Sequence, residues 1–126
     1  MSDKLLVIIS TGEPAKARAG AMYAVNALKH GWLDDVKLYF FGPAEALLLE
    51  DRPLQQYVKE YRELEGTPFA CKFLADRVQQ RDEDEEGDAD PDIGISENIS
   101  ALGVDVEYVG KPMADLIRQG YVPMVW

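Results

Sequence analysis

The sequence predicts one α/β domain built on a five-stranded, mostly parallel, doubly wound sheet flanked by helices. Two observations carry that expectation. Short apolar or β-branched runs alternate with segments of helical period along all 126 residues, and strands that alternate with helices call for parallel βαβ crossovers. The first run, Leu5 to Ile9, is apolar without interruption, the pattern of a strand covered on both faces. A chain of this length buries about two-thirds of its unfolded surface, which suits one domain over residues 1–126.

Leu5 to Ile9 is therefore expected as a central strand. After the Ser10-Thr11-Gly12 turn, Pro14 suits a first helical turn, and Ala21, Val25, Leu28 and Trp32 keep one face of an alanine-rich helix that His30-Gly31 closes. Val36 to Phe41 is a second strand, stopped by Gly42-Pro43. A short helix over Ala44 to Glu50 follows. Leu54, Tyr57, Val58, Tyr61 and Leu64 then line a longer helix, with Pro53 in its first turn and Gly66 past its end. Thr67 to Cys71 is expected as the third strand, and Phe73, Leu74 and Val78 begin a helix that dissolves into an acidic stretch. Ile95, Ile99 and Leu102 mark another short helix, and Val104 to Val109 alternates as a fourth strand. Pro112 to Gln119 forms the last helix, capped by Gly120, before a final strand over Tyr121 to Trp126. Pro123 lies inside that strand, and a residue without an N–H belongs on a sheet edge.

Composition narrows the function. The net charge of −10 argues against a nucleic-acid partner, which needs clustered Lys and Arg. Eight acids fall between Asp82 and Asp92 against one Arg81, leaving the rest of the chain only mildly acidic. This stretch, at about 80–92, reads as a mobile insertion extended by self-repulsion. Asp82, Asp84, Glu86 and Gly87 match the opening of a calcium loop, but Ile93 stands where its bidentate glutamate belongs. The apolar runs are too short for a membrane span or a secretory signal, so a cytoplasmic protein is expected. One cysteine and one histidine are too few for a zinc site, and no metal or cofactor is expected.

In open α/β sheets ligands bind beyond the carboxyl ends of the strands, and Cys71 falls at one of them. A helix starting at Lys72 would set the thiol where unpaired N–H groups favour the thiolate, with Lys72 adding positive charge. A lone cysteine cannot run a dithiol cycle, and His30, at the end of the first helix, is a poor candidate for a nearby base. What remains for a reactive thiol is to take a sulfane sulfur or acyl group and pass it to a partner's thiol. The Ser10-Thr11-Gly12 turn is a weaker, anion-binding candidate; it has neither the phosphate loop of nucleotide hydrolases nor the glycine fingerprint of dinucleotide sites.

The opening Lys4-Leu5-Leu6-Val7-Ile8-Ile9 strand, the Phe69-Ala70-Cys71-Lys72 segment, and the ending Ala101-Leu102-Gly103-Val104-Asp105-Val106 with Asp115-Leu116-Ile117 and Gly120-Tyr121 resemble the DsrE/DsrF-like proteins. The resemblance covers nearly the whole chain except the acidic stretch. It implies a flavodoxin-like fold, homo- or hetero-oligomers, and a persulfide held on one cysteine, here Cys71, with sulfur donor and acceptor proteins as partners. A sulfur carrier is thus the first expectation. The competing one is a non-enzymatic oligomeric subunit, or a module binding a small anion or nucleotide, in which Cys71 is merely packed. Trp126 on an edge strand favours an oligomer that covers it.

Overall fold

The computed structural model describes residues 3–77 and 94–126. In chain order these form β1 (Lys4–Ile9), α1 (Pro14–Lys29), β2 (Asp35–Phe40), α2 (Pro43–Leu48), α3 (Arg52–Glu63), β3 (Phe69–Cys71), α4 (Lys72–Ala75), α5 (Ser96–Ser100), β4 (Asp105–Glu107), α6 (Gly110–Arg118) and β5 (Val122–Val125). The acidic stretch expected as an insertion lies outside the described residues. All five strands are parallel in the order β4-β3-β2-β1-β5, a flavodoxin-like, single-domain α/β arrangement. Successive strands step one way as far as β4, and β5 then returns to flank β1.

The sheet's two faces are covered unequally. Leu5, Val7 and Ile9, with Val36, Leu38, Phe40 and Ala70, point into the larger core under α1, α2, α3 and α5. The alternate residues Leu6, Tyr39 and Cys71 join Val109 and Tyr121 in a smaller cluster that Met113 and Leu116 of α6 close. This follows from the period of two in a strand: Leu5 to Ile9 is apolar throughout because successive residues serve opposite layers. Buried Ala17, Gly20, Ala21, Ala24 and Ala27 let α1 lie close on the sheet. Arg18 of α1 pairs with Asp51, the N-cap of α3, whose carboxylate also accepts the Leu54 N–H at 3.0 Å. Arg18 holds the Asp51 acid below its ordinary range.

β5 is the edge strand that Pro123 implied. The Trp126 N–H donates to Ile8 and its main-chain oxygen accepts from Ser10, so the backbone of Trp126 faces β1. Bonding direction alternates along a strand, which turns Pro123 outward and puts its missing N–H on the free edge. The Trp126 side chain is half-buried because it folds over α1, where a Cβ on Gly20 would stand 2.6 Å from its Cγ. Gly20→Val is therefore expected to cost about 2 kcal/mol by overpacking, read as a lowered denaturant midpoint. A change within about 0.5 kcal/mol, the level of a surface substitution, would show that Trp126 swings clear at no cost.

Several sequence expectations change on folding. α1 ends at Lys29, and Trp32, expected on its buried face, is 57% exposed beyond it; it stacks on His30 instead. α3 ends without using Gly66 as its left-handed cap. Glu65 adopts the positive φ of 71°, while Gly66 meets a spatial demand, since a Cβ there would stand 2.5 Å from the Tyr61 ring. β4 is three residues long, because only Asp105 to Glu107 face β3. Tyr108, expected inside that strand, is exposed. Among the described residues no helix is long and apolar enough to cross a membrane.

Candidate functional site

The loops after β1, β2 and β3 meet at the carboxyl edge of the sheet, where a Cβ on Gly12 would approach the Cβ of Pro43 to 3.2 Å. Cys71 ends β3, an interior strand between β2 and β4, and is the N-cap of α4. That agrees with the expected boundary. α4 is only four residues long, however, so its dipole is slight, and the Cys71 residue is buried at 6% exposure beside Leu6, Tyr39, Val109 and Tyr121. Lys72 is committed elsewhere: its Nζ pairs with Asp76 at 2.9 Å, which holds the lysine above its ordinary range. Asp76 also accepts from Ser96 Oγ, and these two partners keep its acid low.

The Ser10-Thr11-Gly12 turn does not present the Ser10 and Thr11 amides to a ligand. The Ser10 and Thr11 N–H groups both donate to the main-chain oxygen of Trp126, at 2.9 and 3.2 Å, and Ser10 Oγ donates to the same oxygen at 3.3 Å. Thr11 Oγ1 accepts from the Glu13 N–H. The turn thus ties β5 to β1, and only the tertiary structure brings residue 126 to it.

Folding adds a group that sequence reasoning missed. Glu45, the third residue of α2, has no exposed surface. Its Oε2 accepts the N–H of Gly42 and the N–H of Cys71, each at 3.3 Å, while buried Oε1 has no partner among the described residues. Burial pushes its acid up to about 7, the two N–H groups oppose that rise, and Asp76 adds to it. The clue was the glutamate three residues after Gly42, the returning half of a capping box; nothing local announced that it would also hold Cys71. The carboxyl edge therefore joins a thiol and a carboxyl that changes charge near neutral pH, linked through the Cys71 N–H.

A polar cleft of about 360 Å³, lined by Arg62, Glu65, Gly66, Thr67, Pro68, Gly103 and Asp105, opens at the opposite edge, before β3 and β4 begin. It is remote in the fold from the thiol. Arg62 lies across Gly103, where a Cβ would meet its guanidinium.

No family model and no curated protein matches the sequence. Among solved structures the chain is similar to a conserved protein of unknown function from Bacteroides thetaiotaomicron, with a TM-score of 0.75 and 23% identity over 98% of this chain and 95% of the other. At that identity the likeness speaks for the fold.

Proposed function

We propose that this protein is a DsrE-like sulfur carrier that holds a persulfide on Cys71 and passes it to a partner thiol. The observation that supports this reading is the position of Cys71: it ends an interior parallel strand at the turn into the next helix, the place where open α/β sheets bind ligands. The Cys71 thiolate attacks the outer sulfur of a donor persulfide. A new S–S bond forms at Cys71 as the donor's S–S bond breaks, and the donor leaves as a thiolate. The acceptor's thiolate repeats the exchange at the outer sulfur and frees Cys71, with no net oxidation. The cytoplasm suits a chain with one cysteine, and a homo-oligomer served by separate donor and acceptor proteins completes the reading.

A second reading, a binding or structural subunit with a packed cysteine, is favoured by the 6% exposure of Cys71 among apolar neighbours. Thiol-reagent labelling of native protein, with Cys71→Ser as blank, separates the two. A carrier labels without denaturant and gains one sulfur atom in mass after treatment with a sulfane donor, then loses it to an added thiol. Labelling that waits for denaturation overturns the carrier reading and leaves the packed cysteine.

A further inference from the structure

We propose that the polar cleft before β3 and β4 binds a basic amino acid of the lysine type, with its carboxylate on Arg62 and its two ammonium groups on Glu65 and Asp105. One juxtaposition carries the inference. A guanidinium and two carboxylates line a single cleft of about 360 Å³, and none of the three side chains makes a hydrogen bond or ion pair among the described residues. The neighbouring Asp35 and Lys37, by contrast, already pair with each other at 3.2 Å. The cleft has room for on the order of ten waters, enough for a small amino acid. It lies at the opposite edge of the sheet from Cys71, so the proposal stands or falls apart from the sulfur-carrier reading.

The backbone sets each group in place. Gly103, at a φ of 88°, leaves room for the Arg62 guanidinium to lie against it, where a Cβ would stand 2.4 Å from Cζ. Packing thus orients a fork whose N–H donors still lack an acceptor in the chain, and a carboxylate matches that fork with two parallel hydrogen bonds. Glu65 takes a φ of 71° although Gly66 follows it, and the left-handed conformation costs a residue with a side chain energy that glycine avoids. A carboxylate is therefore kept in the cleft at a position that favours glycine. Asp105 is fixed at the start of β4, its N–H donating to the Pro68 carbonyl at 2.9 Å. α3 ends at Glu63, and the negative pole of its dipole adds to the attraction for a cation. Charge then selects the ligand. One cation and two anions are the complement of a molecule with one carboxylate and two ammonium groups. An acidic amino acid would bring a second anion against Glu65 and Asp105, and a diamine would leave Arg62 unmet.

The test titrates L-lysine into the full chain and follows the amides of Thr67, Gly103 and Asp105 by ¹H–¹⁵N NMR. Cadaverine, which lacks the carboxylate, and L-glutamate serve as comparisons. Saturable shifts at these amides are expected with L-lysine and none with L-glutamate. L-lysine should bind at least about fivefold more tightly than cadaverine, the upper end of what one exposed ion pair contributes. Arg62→Gln should erase that preference, and Asp105→Asn should weaken binding of both amines. Arg62 and Asp105 are exposed, and an unshifted Gly42 amide, remote from the cleft, shows that each variant is folded. The absence of saturable shifts with L-lysine, equal affinity for cadaverine or L-glutamate, or a preference that survives Arg62→Gln overturns the proposal.

Discussion

Replacing Tyr61 by alanine is expected to destabilise the protein by about 4 kcal/mol, in the range seen when a large buried aromatic is truncated. Tyr61 is 1% exposed and joins α3 to the sheet in two ways. Its ring fills the space over Gly66, and its hydroxyl donates to the Val36 carbonyl at the start of β2 at 2.5 Å. Burial and nearby Asp35 also push its phenol well above the ordinary range, so the hydroxyl stays a donor at any working pH. Tyr61→Phe separates the two contributions. It keeps the ring but leaves a buried carbonyl without its donor, a loss of about 1–3 kcal/mol. Denaturant unfolding of both variants checks the pair. Equal losses for Phe and Ala would mean that the hydrogen bond, rather than the ring, holds α3 in place.

Glu45 produces the second large effect, and its sign is fixed by where its proton goes. The folded acid, at about 7, lies above its unfolded value of 4.5, so between those limits the folded chain holds a proton that the unfolded chain has released. Stability therefore falls as pH rises from about 4.5 to about 7 and changes no further above that through this group. A gap of that size corresponds to about 3 kcal/mol. Glu45→Gln removes the titration, so the variant should gain on the native protein by up to that amount between about pH 5 and about pH 8. Denaturant midpoints of the two proteins at both pH values measure it. A stability difference that does not change with pH would mean that Glu45 holds its proton equally in the folded and unfolded chains.

The two residues differ in how legible they were. Tyr61 was readable in advance because Leu54, Val58 and Tyr61 repeat at helical spacing and buried faces of helices follow that period; all three are buried in α3. Glu45 was not, since a glutamate amid Ala44, Ala46 and Leu47 reads as the polar side of a short helix. Its burial depends on α2 being pressed between the loop after β1 and the end of β3. Ser10 and Thr11 went the other way. Their hydroxyls and amides suggested an anion site, and the C-terminal residue takes those amides instead.

What the sequence determined by itself is the order and type of the elements, the parallel sheet, the edge position of β5 and the placement of Cys71 at a strand end. Each of these rests on local physics: period two or 3.6, proline's missing N–H, glycine and proline at helix ends. What only the tertiary structure decided is which groups face one another across the carboxyl edge. Trp126 meeting Ser10 and Glu45 receiving the Cys71 N–H join residues far apart in sequence. Their approach is set by strand order, and strand order is a property of the whole chain rather than of any segment.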